Sequence, residues 1–272
     1  MPWINRRPSR GGDLALLCLP FLALVVAYLV GSAARLEANP SDKLLPSPAQ
    51  LWAAIERMAL VPDPRTGAYL LWSDTAASLT RLGSGLAIAT AIALVLGLLI
   101  GMLPYARSLL APFVAFVSMV PPLALLPILF IVLGLGEAAK ITLIVIGVTP
   151  IMIRDLALRA QDIPREMIVK AETLSASSWL IALRVVLPQI LPRLLTCLRL
   201  QLGPAFLFLI AAEAISADSG LGYRIFLVRR YLAMDVIFPY VAWITLLAVA
   251  ADLGLDRLRR WLFPWSELER GK

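Results

Sequence analysis

The chain has 272 residues, 60% of them apolar and 16% charged, with a mean hydropathy of +0.83 and a formal net charge of +7. So apolar a composition, against roughly 45–50% in soluble domains, describes a polytopic membrane bundle, and arginines flanking spans explain the positive charge better than nucleic-acid binding does. The absence of histidine excludes His-based general base catalysis, Ser/His triads and histidine metal sites.

Residues 1–13 are polar, with Arg6, Arg7 and Arg10, and read as an N-terminal tail. Residues 14–34 are apolar. A signal peptide competes with a retained first span here, but the run exceeds the usual h-region of about 7–15 residues, which favours the span. Residues 35–74 are mixed and hold five prolines, at 40, 46, 48, 62 and 64. They read as an external loop with a short helix at 49–58.

Residues 75–260 form the transmembrane core. Its second span starts at Thr75 and runs to 103. Gly97 and Gly101 there form a small-xxx-small pair, read either as a close helix approach or as simple permissiveness. The third span, 109–133, contains Pro121, Pro122 and Pro127, which predict a kinked or broken helix facing protein. The fourth covers 141–156, the fifth 194–215 and the sixth 236–255. Residues 261–272 form a C-terminal tail, with Trp261 and Trp265 as interface anchors. The fold class is all-α, with six transmembrane helices.

Between the fourth and fifth spans lies the most polar stretch of the second half, residues 161–192. Met167, Ile168, Ala171 and Leu174 recur at helical spacing and predict one packed face. Arg165, Glu166, Lys170, Glu172 and Thr173 lie opposite. Ser175–Ser177 breaks the pattern, and a serine can cap a second short helix that Pro188 is expected to end. Six spans with the amino terminus inside put this stretch and both termini in the cytoplasm. Most arginines agree with that orientation. Arg224, Arg229 and Arg230 do not, so residues 216–235 are expected to have a local task, such as gating the outer mouth or meeting a partner.

Chemistry is sparse. Cys18 and Cys197 read as buried thiols, without disulfide or zinc spacing. No phosphate-binding loop and no intramembrane carboxylate pair is evident, so no catalytic residue, metal site or cofactor is expected. The ionisable residues read as lying inside spans are Arg199 and Glu213. With Thr196 and Gln201 they form a candidate polar path, or else they snorkel to the membrane surfaces. Deep carboxylates and two similar halves, expected of coupled carriers, are not evident. An amphipathic cytoplasmic stretch without its own energy-binding motif points to energy from another subunit. An ion channel or secondary transporter remains the alternative.

The same stretch resembles the cytoplasmic coupling loop of binding-protein-dependent ABC importer permeases, whose motif is E-A-A, three residues, G, nine residues, then I-x-L-P. Val185, Leu187 and Pro188 match its end. Counting back puts Ser175 at the glycine and Val169, Lys170 and Ala171 at E-A-A, so the glutamate and the glycine are missing. Residues 45–48 (LPSP), 120–141 (VPPLALLPILFIVLGLGEAAKI) and 219–225 (SGLGYRI), with Pro264–Trp265, resemble the nitrate/sulfonate/taurine group more specifically. The resemblance implies a permease homodimer in the bacterial inner membrane, two cytoplasmic ATP-binding subunits, a periplasmic or lipid-anchored solute-binding protein and a small anionic solute. It implies ATPase coupling through Arg165, Val169, Lys170, Ala171, Glu172, Ser175, Val185, Leu187 and Pro188. The ATPase is expected to cover Val169, with Glu172 supplying the missing carboxylate.

Overall fold

The structure, a computed structural model, describes residues 10–40 and 42–267; Arg6 and Arg7 of the N-terminal tail, and the last five residues of the C-terminal tail, lie outside the described residues. Among the described residues five helices are long and apolar enough to cross a membrane, and a bent pair makes a sixth span if counted as one. The expected six-span all-α architecture is present, as five unbroken spans and one broken one. The chain divides into two compact units. One holds the described residues up to Tyr69 together with Val228–Val241, and the other holds Leu70–Leu227 with the residues from Ala242 onward.

In the first unit α1 (Arg10–Ala38) is the first span, and α2 (Pro48–Ala59) is the short helix expected at 49–58. The turn before α2 carries the LPSP box, and its geometry shows what the box does. Tyr28 on α1 donates to the Pro46 carbonyl at 2.6 Å, and Ser32 donates to the Leu45 and Pro46 carbonyls at 3.0 and 3.1 Å. Ser47 then caps α2. Its hydroxyl accepts from the Gln50 N–H at 3.2 Å while the Gln50 side chain accepts from the Ser47 N–H at 2.7 Å, a reciprocal capping box. Pro48 begins the helix, where its missing N–H costs nothing. Arg35 pairs with Asp42 and, with the Leu44 N–H, holds the Asp42 carboxyl below its ordinary range. Cys18, expected buried, is exposed on α1, a helix whose apolar surface is almost wholly uncovered in this chain.

The second unit is built on α3 (Leu70–Met102), α6 (Glu137–Gln161) and α9 (Leu187–Ser216), which pack on one another. The crossing of α3 and α6 needs the two glycines. A Cβ on Gly97 would lie 2.7 Å from the Leu156 Cβ, and one on Gly101 would overlap Ala160. The close-approach reading of this pair therefore holds. Gly147 of α6 does the same for the Phe208 ring of α9.

The proline-rich third span is broken, as its composition predicts. It consists of α4 (Pro104–Val117), a 3-10 turn (Pro122–Leu125) and α5 (Leu126–Leu133), with a bend of 81°. Arg107 caps the end of α3, donating to the Ile100 and Gly101 carbonyls at 3.2 and 2.5 Å.

One expectation fails. Pro188 does not end a helix. Ser178–Ile181 (α8) runs through a π turn, Ala182–Val186, straight into α9. The whole forms one span of 39 residues. Pro188 falls in the first turn of α9, where the helix tolerates proline, and the π turn absorbs the mismatch. The chain then continues through α10 (Leu221–Arg229) to the last span, α11 (Met234–Leu262).

Candidate functional site

Residues 161–192 separate into two parts. Only α7 (Arg165–Thr173) is a free-standing short helix. It ends in a Schellman turn, with the Ser175 N–H donating to the Glu172 carbonyl at 2.9 Å and the Ala176 N–H to the Ala171 carbonyl at 3.0 Å. This turn requires a left-handed residue, and Ser175 adopts it at φ 58°. The residue aligned with the motif glycine thus adopts a conformation that glycine favours. Ser177 caps α8 through the Leu180 N–H at 3.3 Å.

Left-handed backbone costs an L-residue on the order of 1 kcal/mol. Ser175→Gly is therefore expected to stabilise the loop by up to about 1 kcal/mol, read as slower proteolysis of residues 161–192. Faster cleavage would contradict the strain.

The face predicted to pack is not packed throughout. Ile168 and Ala171 are half-buried, but Met167 is exposed and Leu174 is 83% exposed. Trp179 is 72% exposed. Val169, expected on the polar face, is half-exposed and lines a cleft of about 690 Å3 with Arg165, Glu172 and the end of α3. Lys170 is exposed. Val185, Leu187 and Pro188 belong to the continuous helix and are half-buried. The loop therefore presents Met167, Leu174 and Trp179 as an apolar surface. Serine and valine stand at the motif's glycine and glutamate positions, and the chain makes a Schellman turn at Ser175.

At the other end of the spans lies a cluster that sequence reasoning largely missed. Asp74, Ser78 and Arg81 sit at i, i+4 and i+7, one face of α3. Arg81 makes a two-pronged pair with Glu137 and donates to Glu213 Oε1 and the Ser219 carbonyl, both at 2.7 Å. Ser78 donates to Glu213 at 2.7 Å. Lys140 pairs with Glu137 at 3.0 Å, and Arg224 with Asp74 at 2.8 Å.

The SGLGYRI segment wraps this cluster with its backbone. The N–H groups of Gly220, Leu221 and Gly222 donate to Asp74, Ser78 and Glu213 at 3.0, 2.8 and 2.8 Å. Gly220 sits at φ 130°, where a Cβ would lie 2.5 Å from the Glu213 carboxylate. Three carboxylates and three cations thus balance in a largely buried site. The local task of residues 216–235 is, for Arg224, this clamp.

Arg199 also has partners. It makes a two-pronged pair with Asp252, at 2.8 and 2.7 Å, and a further pair with Asp256. These aspartates lie at i, i+4 on α11, one turn apart on the face that meets α9. Asp252 falls inside the span expected at 236–255 and Asp256 just beyond it, and α11 in fact runs on to Leu262. Thr196 bonds the Pro192 carbonyl of its own helix at 3.0 Å. Gln201 is buried on the same helix, and its Oε1 accepts no hydrogen bond. The four candidate pathway residues are therefore not one exposed polar face. Glu213 is fully buried in the clamp, and Arg199 is matched by carboxylates. No group of three or more metal-ligating side chains occurs among the described residues.

Residues 71–267 match the family model described as "Binding-protein-dependent transport system inner membrane component". The chain belongs to this family. It is a multi-pass transport permease, the membrane component of an ABC importer, and such permeases work with an ATPase and a binding protein.

It is 36% identical over 227 residues to the taurine transport system permease protein TauC of Escherichia coli K12, covering 83% of this chain and 81% of that protein. It is 34% identical over 198 residues to the bicarbonate transport system permease protein CmpB of Synechococcus elongatus, covering 72% and 69%. Its fold is similar to a solved inward-facing structure of the MetNI methionine ABC transporter, with TM-score 0.58 and 18% identity over 79% of this chain and 98% of that one. The predicted family and group are thereby established, and a channel or secondary carrier is not favoured.

Proposed function

We propose that this permease forms, with a second copy of itself, the pathway for a small anionic solute of the sulfonate, taurine, nitrate or bicarbonate kind. Two cytoplasmic ATP-binding subunits drive it, and a periplasmic or lipid-anchored binding protein delivers the solute. The relatives' transport of taurine and bicarbonate supports the solute class. The chain sits in the bacterial inner membrane with both termini in the cytoplasm. Residues 1–13 and 261–272 are its tails, 14–34 the first span, 35–74 the periplasmic loop and 75–260 the core.

One observation carries the coupling assignment. The free-standing α7 leaves Met167 and Leu174 exposed, with Trp179 beside them on α8. A polar linker in water would gain nothing from such residues, whereas a partner that covers them gains roughly 1.5–3 kcal/mol for each fully buried side chain. Arg165, Lys170 and Glu172 supply charge around that patch. Ser175 and Ala171 shape its turn, while Val185, Leu187 and Pro188 root it in the fifth span. For the pathway we retain Gln201, whose buried carbonyl oxygen lacks a donor, and Thr196 on the same helix. Arg199 and Glu213 hold ion pairs that fix neighbouring spans.

Leu174→Asp and Val169→Asp are each expected to reduce ATPase co-purification by about tenfold or more. Solute-stimulated ATP hydrolysis should fall in step, with the thermal midpoint of the isolated permease unchanged. If both activities stay at wild-type levels in both variants, residues 161–188 are not the coupling element.

A further inference from the structure

A pocket of about 280 Å3 opens where the end of α6, the start of α9 and the end of α11 meet, and three arginines line it: Arg159, Arg193 and Arg259. Asp162 is the carboxylate among the lining residues. Arg159 reaches it at 3.4 Å, with both side chains about half exposed or more, so the pair leaves the guanidinium largely available. Arg193 is exposed and makes no ion pair among the described residues. Arg259 is paired with Asp256 at 3.2 Å and is 4% exposed. Asp256 is shared with Arg199 and Arg260, so its charge is already matched. The lining therefore carries two more positive charges than negative ones.

We propose that this pocket holds the phosphate group of an anionic membrane lipid. Guanidinium forks match phosphate oxygens in pairs, and basic pockets between transmembrane helices on the cytoplasmic side suit phosphate headgroups. Trp265 lines the same pocket, and tryptophan belongs at the depth of the headgroups. The space exceeds the roughly 30 Å3 of one liquid water several-fold, enough for a phosphate and part of its hydration. Pro164, immediately before α7, is also in the lining. A bound headgroup therefore touches the entry to the coupling loop.

The test is native mass spectrometry of the detergent-purified full chain, titrated with phosphatidylglycerol, phosphatidylcholine or inorganic phosphate. Phosphatidylglycerol should be retained in preference to phosphatidylcholine. Arg159→Gln and Arg193→Gln should each weaken that retention about fivefold, and Arg184→Gln, outside the pocket, should leave it unchanged. Equal retention of the two lipids by the wild-type chain overturns the proposal, as does wild-type retention by both pocket variants. Displacement of phosphatidylglycerol by inorganic phosphate reassigns the pocket to a soluble phosphate. The wild-type comparison of the two lipids needs no variant, so it decides even if a substitution fails to fold.

Discussion

Arg81→Met is expected to destabilise the permease by about 3–5 kcal/mol, the usual result of removing one partner from a buried ion pair. Glu213 would remain fully buried with hydrogen bonds from Ser78 and the Gly222 N–H but without its counter-ion. The Ser219 carbonyl would lose its donor, and Glu137 would keep only Lys140. Four separate segments would loosen together. Arg81→Lys should rescue little, because an ammonium cannot reproduce the fork that spans Glu137 and Glu213. The measurement is the thermal midpoint from tryptophan fluorescence, with a drop on the order of 10 °C expected. Arg57→Gln serves as the control. Arg57 meets Asp235 at 3.4 Å and is 60% exposed, a pair worth about 0–1 kcal/mol. A drop no larger than the control's would show that the clamp contributes no special stability.

The second large effect is expected at Gly97. Leucine there must push α3 away from α6, because even a Cβ would sit 2.7 Å from the Leu156 Cβ. Overpacking of a rigid core costs about 1–3 kcal/mol, and separating two backbones along their main interface belongs at or above the top of that range. Gly97→Leu should lose the monodisperse peak in size-exclusion chromatography. Gly83→Leu on the same helix should keep it, since nothing lies within 4 Å of a Cβ at Gly83. Indistinguishable profiles would mean that the close approach is not what those glycines provide.

Much of this architecture was legible because membrane spans announce themselves by apolar length, and prolines crowded into one of them foretold the 81° break. The short free-standing helix between the fourth and fifth spans was legible through helical spacing. What stayed hidden had specific causes. Asp74 and Arg81 looked like the margin and interior of an apolar run, and only their i, i+7 spacing signals a shared face. Asp252 lies inside the span expected at 236–255 and Asp256 just past it, where hydropathy fades, and nothing in the sequence pairs either of them with Arg199 on another helix. Pro188 was read as a terminator, although proline opens helices as readily as it closes them. Serine at a left-handed turn gives no compositional warning, so the geometry at Ser175 needed coordinates.

The unbroken run from α8 through α9 makes a mechanical connection. At about 1.5 Å per residue its 39 residues span about 58 Å, nearly twice the roughly 30 Å of a hydrocarbon core. One backbone rod therefore carries Trp179 at its tip, beside α7, and Glu213 in the clamp at the opposite end. A push or twist on the tip is transmitted to the clamp, less whatever the π turn, Pro192 and Pro204 absorb by flexing. Compliance is concentrated at three points along the rod, and stiffening any one of them would change how far a displacement at one end travels toward the other.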